Sequence, residues 1–269
     1  MNILLLGDIM GPSGRKAIAE KLPNLIKEKE IDFVIANGEN AADSGKGIIK
    51  ENVDLFLKAG INVITSGNHI WEHRETATLI AAEKRLLRPE NLLSGSPGSG
   101  CNIFVSTNKQ KIAVINLMGN VFMKYCDNVF EEAKKIISKI ELKKDADFIV
   151  VDIHAETTSE KMAMAYLFDG KATVVVGTHT HVPTADHMIM EKGTAYQTDI
   201  GMCGDYRSVI GMNRANSLKK FLKDPSAKKH YPALGEATIS GLIVKADNET
   251  GLAKKVAPII FGGALQNTK

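Results

Sequence analysis

Short runs of apolar residues alternate with longer stretches in which apolar positions recur every three or four residues. Residues 3–6, 32–36, 61–65, 148–153 and 173–176 are the short runs, rich in Val and Ile and of strand length. Residues 15–28, 51–59, 72–84, 128–142 and 158–168 have the helical spacing; in the first of them Ala17, Ile18, Leu22, Leu25 and Ile26 share one face. Pro23 predicts a kink or a second segment in that helix, and Gly60 predicts the stop of the next one. A β-α-β order of this kind predicts a parallel sheet flanked by helices. Three later pairs depart from it. Residues 101–106 and 111–117 read as a hairpin, 186–191 and 194–198 as two short strands, and 237–246 with 252–258 as a closing hairpin. Antiparallel strands therefore enter a mostly parallel α/β arrangement. Residues 215–222 read as a short helix. No repeat, low-complexity segment or linker interrupts the pattern, so residues 1–269 read as a single domain.

The residues just past each strand carry the chemistry. Asp8 comes after Gly7. Asn37-Gly38-Glu39-Asn40 closes the second strand and Ser66-Gly67-Asn68-His69 the third. His154 comes directly after residues 148–153, and Gly177-Thr178-His179-Thr180-His181 after the Val-rich run. In open α/β sheets such ends share the edge where ligands bind. Two histidines one residue apart on a regular strand would point to opposite faces. In a turn after a glycine they can converge. Carboxylate, amide oxygen and imidazole together suit a hard to borderline divalent ion such as Mn, Fe or Zn. Asp8, Glu39, Asn40, Asn68, His154, His179 and His181 are ligands enough for two ions, with Glu39 able to bridge them. Two metals about 3.5–4 Å apart suit in-line displacement at phosphorus by a hydroxide held between them. His69, beside Asn68, is placed to protonate the leaving oxygen. Each of these residues taken singly would read as a turn acid, a loop amide or a structural histidine; the series of five strand ends makes the case. His73, His187 and His230 lack the strand-end setting. Residues 199–213 form a glycine-rich connection long enough to be functional, and its Arg207 is a candidate contact for a substrate phosphate.

Composition removes other classes. With 44% hydrophobic and 24% charged residues the chain is an ordinary soluble globular protein. The net charge of +3 is too small to indicate nucleic acid or a membrane surface. Cys101, Cys126 and Cys203 have neither disulfide nor zinc-site spacing, which points to a reducing compartment. The amino-terminal residues lack the features of a signal peptide, and no apolar run reaches membrane-spanning length. A cytoplasmic location is expected.

The order of these motifs resembles the calcineurin-like metallophosphoesterases, whose usual series is D-x-H, G-D-x-x-D, G-N-H-[DE], a lone His and G-H-x-H. Here the matching positions are Asp8-Ile9-Met10, Gly38-Glu39-Asn40, Gly67-Asn68-His69-Ile70, His154 and Gly177-Thr178-His179-Thr180-His181. Met10 stands where a histidine ligand is usual, and Glu39 where the bridging Asp is. Together, G-D-I-M-G, N-G-E-N-A, S-G-N-H-I-W and G-T-H-T-H-V-P resemble the bacterial YmdB subfamily over essentially the whole chain. The resemblance implies an α/β/β/α sandwich of two mixed sheets flanked by helices. It implies one metal held by Asp8, Glu39, Asn40 and His181, a second held by Glu39, Asn68, His154 and His179, and His69 as proton donor. It implies iron as the metal, with manganese left open by ligand chemistry, and 2′,3′- and 3′,5′-cyclic mononucleotides as substrates. A phosphomonoesterase or RNA nuclease on the same site, and a nucleotide-binding regulator without turnover, are the competing readings. Self-association into a homo-oligomer is left open.

Overall fold

Strands that are apolar on both faces need a covering layer on each side, and that requirement builds the molecule. The computed structural model describes residues 1–268. In chain order it contains β1 (Asn2–Leu6), β2 (Asp8–Ile9), α1 (Gly11–Glu28), β3 (Phe33–Asn37), α2 (Lys50–Ala59), β4 (Val63–Thr65), α3 (Thr76–Ala82), β5 (Cys101–Val105) and β6 (Lys111–Met118). Next come α4 (Val129–Ile137), β7 (Phe148–His154), α5 (Thr158–Phe168), β8 (Val174–Thr178), β9 (Met188–Ile189), β10 (Ala195–Gln197), β11 (Met202–Cys203), α6 (Arg214–Phe221), β12 (Ile239–Ala246) and β13 (Ala253–Phe261).

Two main sheets face each other. One runs β13-β12-β1-β3-β4 and the other β5-β6-β7-β8-β10-β9. Within the first, β1, β3 and β4 are parallel and the closing hairpin β12–β13 adds on antiparallel. Within the second, β6, β7, β8 and β10 are parallel, with β5 and β9 antiparallel at the edges. Period-2 alternation assigns the layers. Ile3 and Leu5 of β1 join Ile112 and Val114 of β6 and Val150 of β7 in the core between the sheets. Leu4 and Leu6 point the other way, onto Ile18 and Leu22 of α1 and Phe56 of α2. Across the molecule, Ala113 and Ile115 of β6 and Val151 of β7 pack under Ala133 of α4 and Met164 of α5. Full burial of such a side chain contributes about 1.5–3 kcal/mol. The result is the expected α/β/β/α sandwich of two mixed sheets.

Several boundaries differ from expectation. Helix α1 starts at Gly11, before Arg15, because Pro12 is tolerated in a first turn. Pro23 does not end it. Helix α3 begins only at Thr76, since residues 69–75 are taken up by turns next to the site. Helix α4 stops at Ile137 and not at Leu142. The two-residue strands β2 and β11 pair in parallel, Asp8 opposite Met202. They draw the long connection 199–213 against the carboxyl end of β1.

Candidate metal centre

Five strand ends deliver the side chains. β1 leads through Gly7 to Asp8, β3 to Glu39 and Asn40, and β4 to Gly67, Asn68 and His69. β7 ends on His154, and β8 leads into His179 and His181. The first three strands belong to one sheet and the last two to the other, so the cluster sits where the carboxyl edges of both sheets meet. Asp8, Glu39, Asn40, His154 and His181 are all buried. Gly67 must be glycine because a Cβ there would lie 2.1 Å from Cδ2 of His154.

Three electron-rich atoms surround Nε2 of His154. Glu39 Oε1 is 2.9 Å away, Asn68 Oδ1 3.0 Å and His179 Nδ1 3.0 Å. Glu39, His154 and His179 each offer a ligand atom within 4.8 Å of the others. The other side of the His154 ring is spoken for. Its Nδ1 is 2.9 Å from Thr178 Oγ1, and that hydroxyl donates to Asp152 Oδ1 at 2.8 Å. Thr65 Oγ1 donates to the second carboxylate oxygen at 2.5 Å. With both hydroxyl protons given to Asp152, the Thr178 oxygen accepts from Nδ1 of His154 and, at 3.5 Å, from Asn37 Nδ2, and Nε2 of His154 is the nitrogen turned to the cluster. One proton on Nε2 can serve one of its three neighbours. A cation between the four atoms serves all of them. Burial disfavours a charged His154, but the carboxylates of Glu39, Asp8 and Asp152 outweigh it and raise its pKa to about 9. Burial and then the neighbouring His154 push His179 down to about 4.

The second half of the cluster is looser. Asp8 Oδ2 accepts the backbone N–H of His179 at 3.1 Å, while Oδ1 has no hydrogen-bond partner; His181 Nε2 is 3.6 Å from it. Burial opposes ionisation of Asp8, yet His181 and His154 hold its carboxyl well below the usual range. Asn40 donates through Nδ2 to Gly45 O at 3.0 Å, which fixes its amide and leaves Oδ1 unpartnered. His181 Nδ1 lies 2.8 Å from the carbonyl of Ile210, so its Nε2 is turned toward Asp8. An orphaned buried oxygen of Asp8 facing a directed imidazole nitrogen, with a second orphaned oxygen on Asn40 of the same cavity wall, fits a second cation. Met10 is buried and takes no part; glycines 45, 204 and 211 pack against its side chain.

Other residues hold the constellation in place. His69 donates its backbone N–H to Glu39 Oε2 at 2.9 Å, and its ring Nδ1 is 3.0 Å from Glu72 Oε1. Lys124 reaches both that carboxylate oxygen, at 3.2 Å, and the carbonyl of Asn68, at 2.7 Å. The hydrogen bond from His69, together with Lys124, lowers the pKa of Glu72. The fully buried ion pair of Lys161 with Asp199, 2.7 Å, holds Thr180 between His179 and His181. Asp199 Oδ2 accepts the Thr180 N–H at 3.1 Å and its hydroxyl at 2.8 Å. Burial raises the pKa of Asp199 against the pull of Lys161. None of Glu72, Asp152, Lys161 or Asp199 stood out in the sequence. A charge inside an apolar run, as in Phe148–His154, was the available signal. Arg207 is exposed on a separate surface depression with Asp205 and Arg214, and the structure does not bring it to the cluster.

The cluster opens into a cavity of about 440 Å³ lined by Glu39, Asn40, His69, His179 and His181 on one side and by Ile210, Met212 and Phe221 on the other. The model of the YmdB-like protein family matches residues 4–259. This chain belongs to that family. Among YmdB-like relatives, it is 41% identical over 261 residues to the 2′,3′-cyclic-nucleotide 2′-phosphodiesterase of Bacillus subtilis, covering 97% of each chain. A crystal structure of a hypothetical protein from Thermus thermophilus superposes with a TM-score of 0.89 at 37% identity, over 97% of this chain and 99% of that one. One described as a novel phosphatase from Mycoplasma pneumoniae gives 0.88 at 36%, over 98% and 94%. The metallophosphoesterase-type sandwich is thus the fold of this YmdB-like chain. Among its described residues no helix is long and apolar enough to cross a membrane.

Proposed function

We propose that this YmdB-like protein is a dimetal phosphodiesterase that opens cyclic mononucleotides, 2′,3′- and 3′,5′-cyclic forms alike. The observation that carries the reading is the crowding of three lone-pair atoms around Nε2 of His154, together with the orphaned buried oxygens of Asp8 and Asn40. Asp8, Glu39, Asn40 and His181 would hold one ion, and Glu39, Asn68, His154 and His179 the other, iron first and manganese second. Bound there, divalent ions would neutralise charge on the phosphoryl oxygens and acidify the attacking water. His69 supplies the proton to the leaving ribose oxygen. Its Nδ1 is committed to Glu72, so Nε2 is the nitrogen free to give a proton. Water adds across one P–O bond: the hydroxyl stays on phosphorus and the proton goes to the released ribose oxygen. Both sheets supply ligands and share one core, which supports a single domain over residues 1–269.

Elemental analysis of protein purified without added metal, followed by rates on cyclic diesters, a monoester and RNA, tests this reading. About two ions per chain and preference for the cyclic diester are expected. His69→Ala should keep the metals and slow ring opening by about 10²–10⁴-fold, with far less effect on a nitrophenyl ester, whose leaving group needs no proton. Equal losses on both substrates would remove His69 as proton donor. A preference for the monoester or RNA would favour the phosphatase or nuclease, and metal without turnover the regulator.

A further inference from the structure

The cavity has two unlike walls. One is the polar cluster. The other comes from residues 209–212, from α6 and from His230, and it carries large apolar side chains, two of them uncovered: Ile210 is 56% exposed and Phe221 79%. Single exposed apolar residues are ordinary on a protein surface. These two share a wall with Met212, directly across from the phosphoester chemistry. Ser217 stands four residues before Phe221, on the same face of α6. It is 1% exposed, lines the cavity, and its hydroxyl has no hydrogen-bond partner. A buried hydroxyl left unpaired is costly, so its position needs a reason.

The backbone gives a second indication. Ile210 has φ +47, in the left-handed region that a β-branched residue avoids. In that conformation its carbonyl meets His181 Nδ1 at 2.8 Å while its side chain lines the cavity. The apolar wall is therefore held in fixed register with the cluster. Strain of this kind persists where surrounding structure enforces it, commonly at ligand sites.

We propose that the wall formed by Ile210, Met212, Ser217 and Phe221 is a nucleobase subsite. The base lies against Phe221 and Ile210, the Ser217 hydroxyl meets a polar atom on its edge, and the phosphate lies toward the cluster. This rests on the cyclic-nucleotide reading above. A volume of about 440 Å³ is within the range of small-molecule sites. Stacking on an aromatic ring tolerates any base, and a serine hydroxyl both donates and accepts. The subsite thus recognises that a base is present, with little choice among the four.

The test compares 2′,3′-cyclic nucleotides with methyl ribofuranoside 2′,3′-cyclic phosphate, which has no base. In Phe221→Ala the ratio of kcat/KM for the nucleotide to that for the base-free ester should fall about tenfold, and in Ser217→Ala several-fold. Leu222→Ala, an exposed neighbour outside the cavity, should leave the ratio as in the wild type. Calorimetric binding of a nucleoside 3′-monophosphate against ribose 3-phosphate gives a readout independent of turnover. The wild type should prefer the nucleotide, and Phe221→Ala should lose that preference. If base preference is seen without hydrolysis, the subsite stands and the phosphodiesterase reading falls. If hydrolysis is normal and Phe221→Ala changes neither ratio nor binding preference, the subsite is overturned.

Discussion

His154 and the His179/His181 fork reach the same cluster by opposite routes. His154 is the last residue of β7, and regular strand geometry delivers it. The fork sits in a turn where both histidines have positive φ, +103 and +66. A strand presents a ligand without backbone strain, whereas a turn in the left-handed region has to be held there. What stands behind each differs accordingly. Behind His154 is a chain of side-chain hydrogen bonds through Thr178 to Asp152 and Thr65. Behind the fork is a buried charge pair, Lys161 with Asp199, fastened to Thr180, and the carbonyl of a strained Ile210. The strand-borne ligand needs its proton placed; the turn-borne ligands need their backbone placed.

Glu39 belongs to both routes, so its removal has the largest effect. Glu39→Ala withdraws the carboxylate that touches His154 and, through its other oxygen, the His69 N–H. Metal content should drop from about two ions per chain to below one, and turnover by more than about a thousandfold. Elemental analysis alongside rate measurement checks this; two retained ions would show that the halves do not share Glu39.

Next comes the support of the fork. Lys161→Met leaves Asp199 charged and buried with no cation, a change that costs about 3–5 kcal/mol. Denaturant unfolding in the presence of a chelator reads that loss without any contribution from metal. Adding Asp199→Asn should restore part of it, because the amide carries no charge yet keeps an oxygen for Thr180. A Lys161→Met protein as stable as the wild type would mean that the pair does not hold the turn.

The same contrast explains what was legible in the sequence. Apolar runs of strand length gave the inner strands, because these are buried on both faces and stay apolar throughout; their division into two sheets came from the family resemblance alone. A glycine followed within two residues by a candidate ligand marked four of the five strand ends, and His154 followed its strand directly; a parallel sheet brings its carboxyl edge together whatever the loops do. The supports were not legible. Asp152 and Lys161 lie within otherwise regular elements, and nothing local says that Asp199, thirty-eight residues from Lys161, receives its charge. Two-residue strands such as β2 and β11 have no periodicity to read. Residues 72–75 look helical by spacing, but Glu72 lies beside His69, and the chain turns there first. Arg207 followed charge alone, and its place was decided by the path of a loop.

The smallest of these effects probes the strand side. Asp152 takes the hydroxyl protons of both Thr65 and Thr178, while burial raises its pKa to about 6. Thr178 then has only its lone pairs to offer His154, which fixes the proton on Nδ1 and leaves Nε2 for the cluster. Asp152→Asn presents one acceptor and one donor where there were two acceptors. If the amide turns its donor to Thr178, that hydroxyl reverses and donates to Nδ1 of His154, and the ring proton moves to Nε2, the ligand nitrogen. The outer partners of metal-binding histidines are worth about 10–100-fold in metal affinity. On the proposed two-ion arrangement, one ion should weaken by that amount in chelator competition, while the ion that Asp8, Asn40 and His181 would hold keeps its affinity. Loss on both sides would show that the two routes are coupled through Glu39 more tightly than their separate supports suggest. No loss on either would show that the strand alone, and not Asp152, sets the His154 proton.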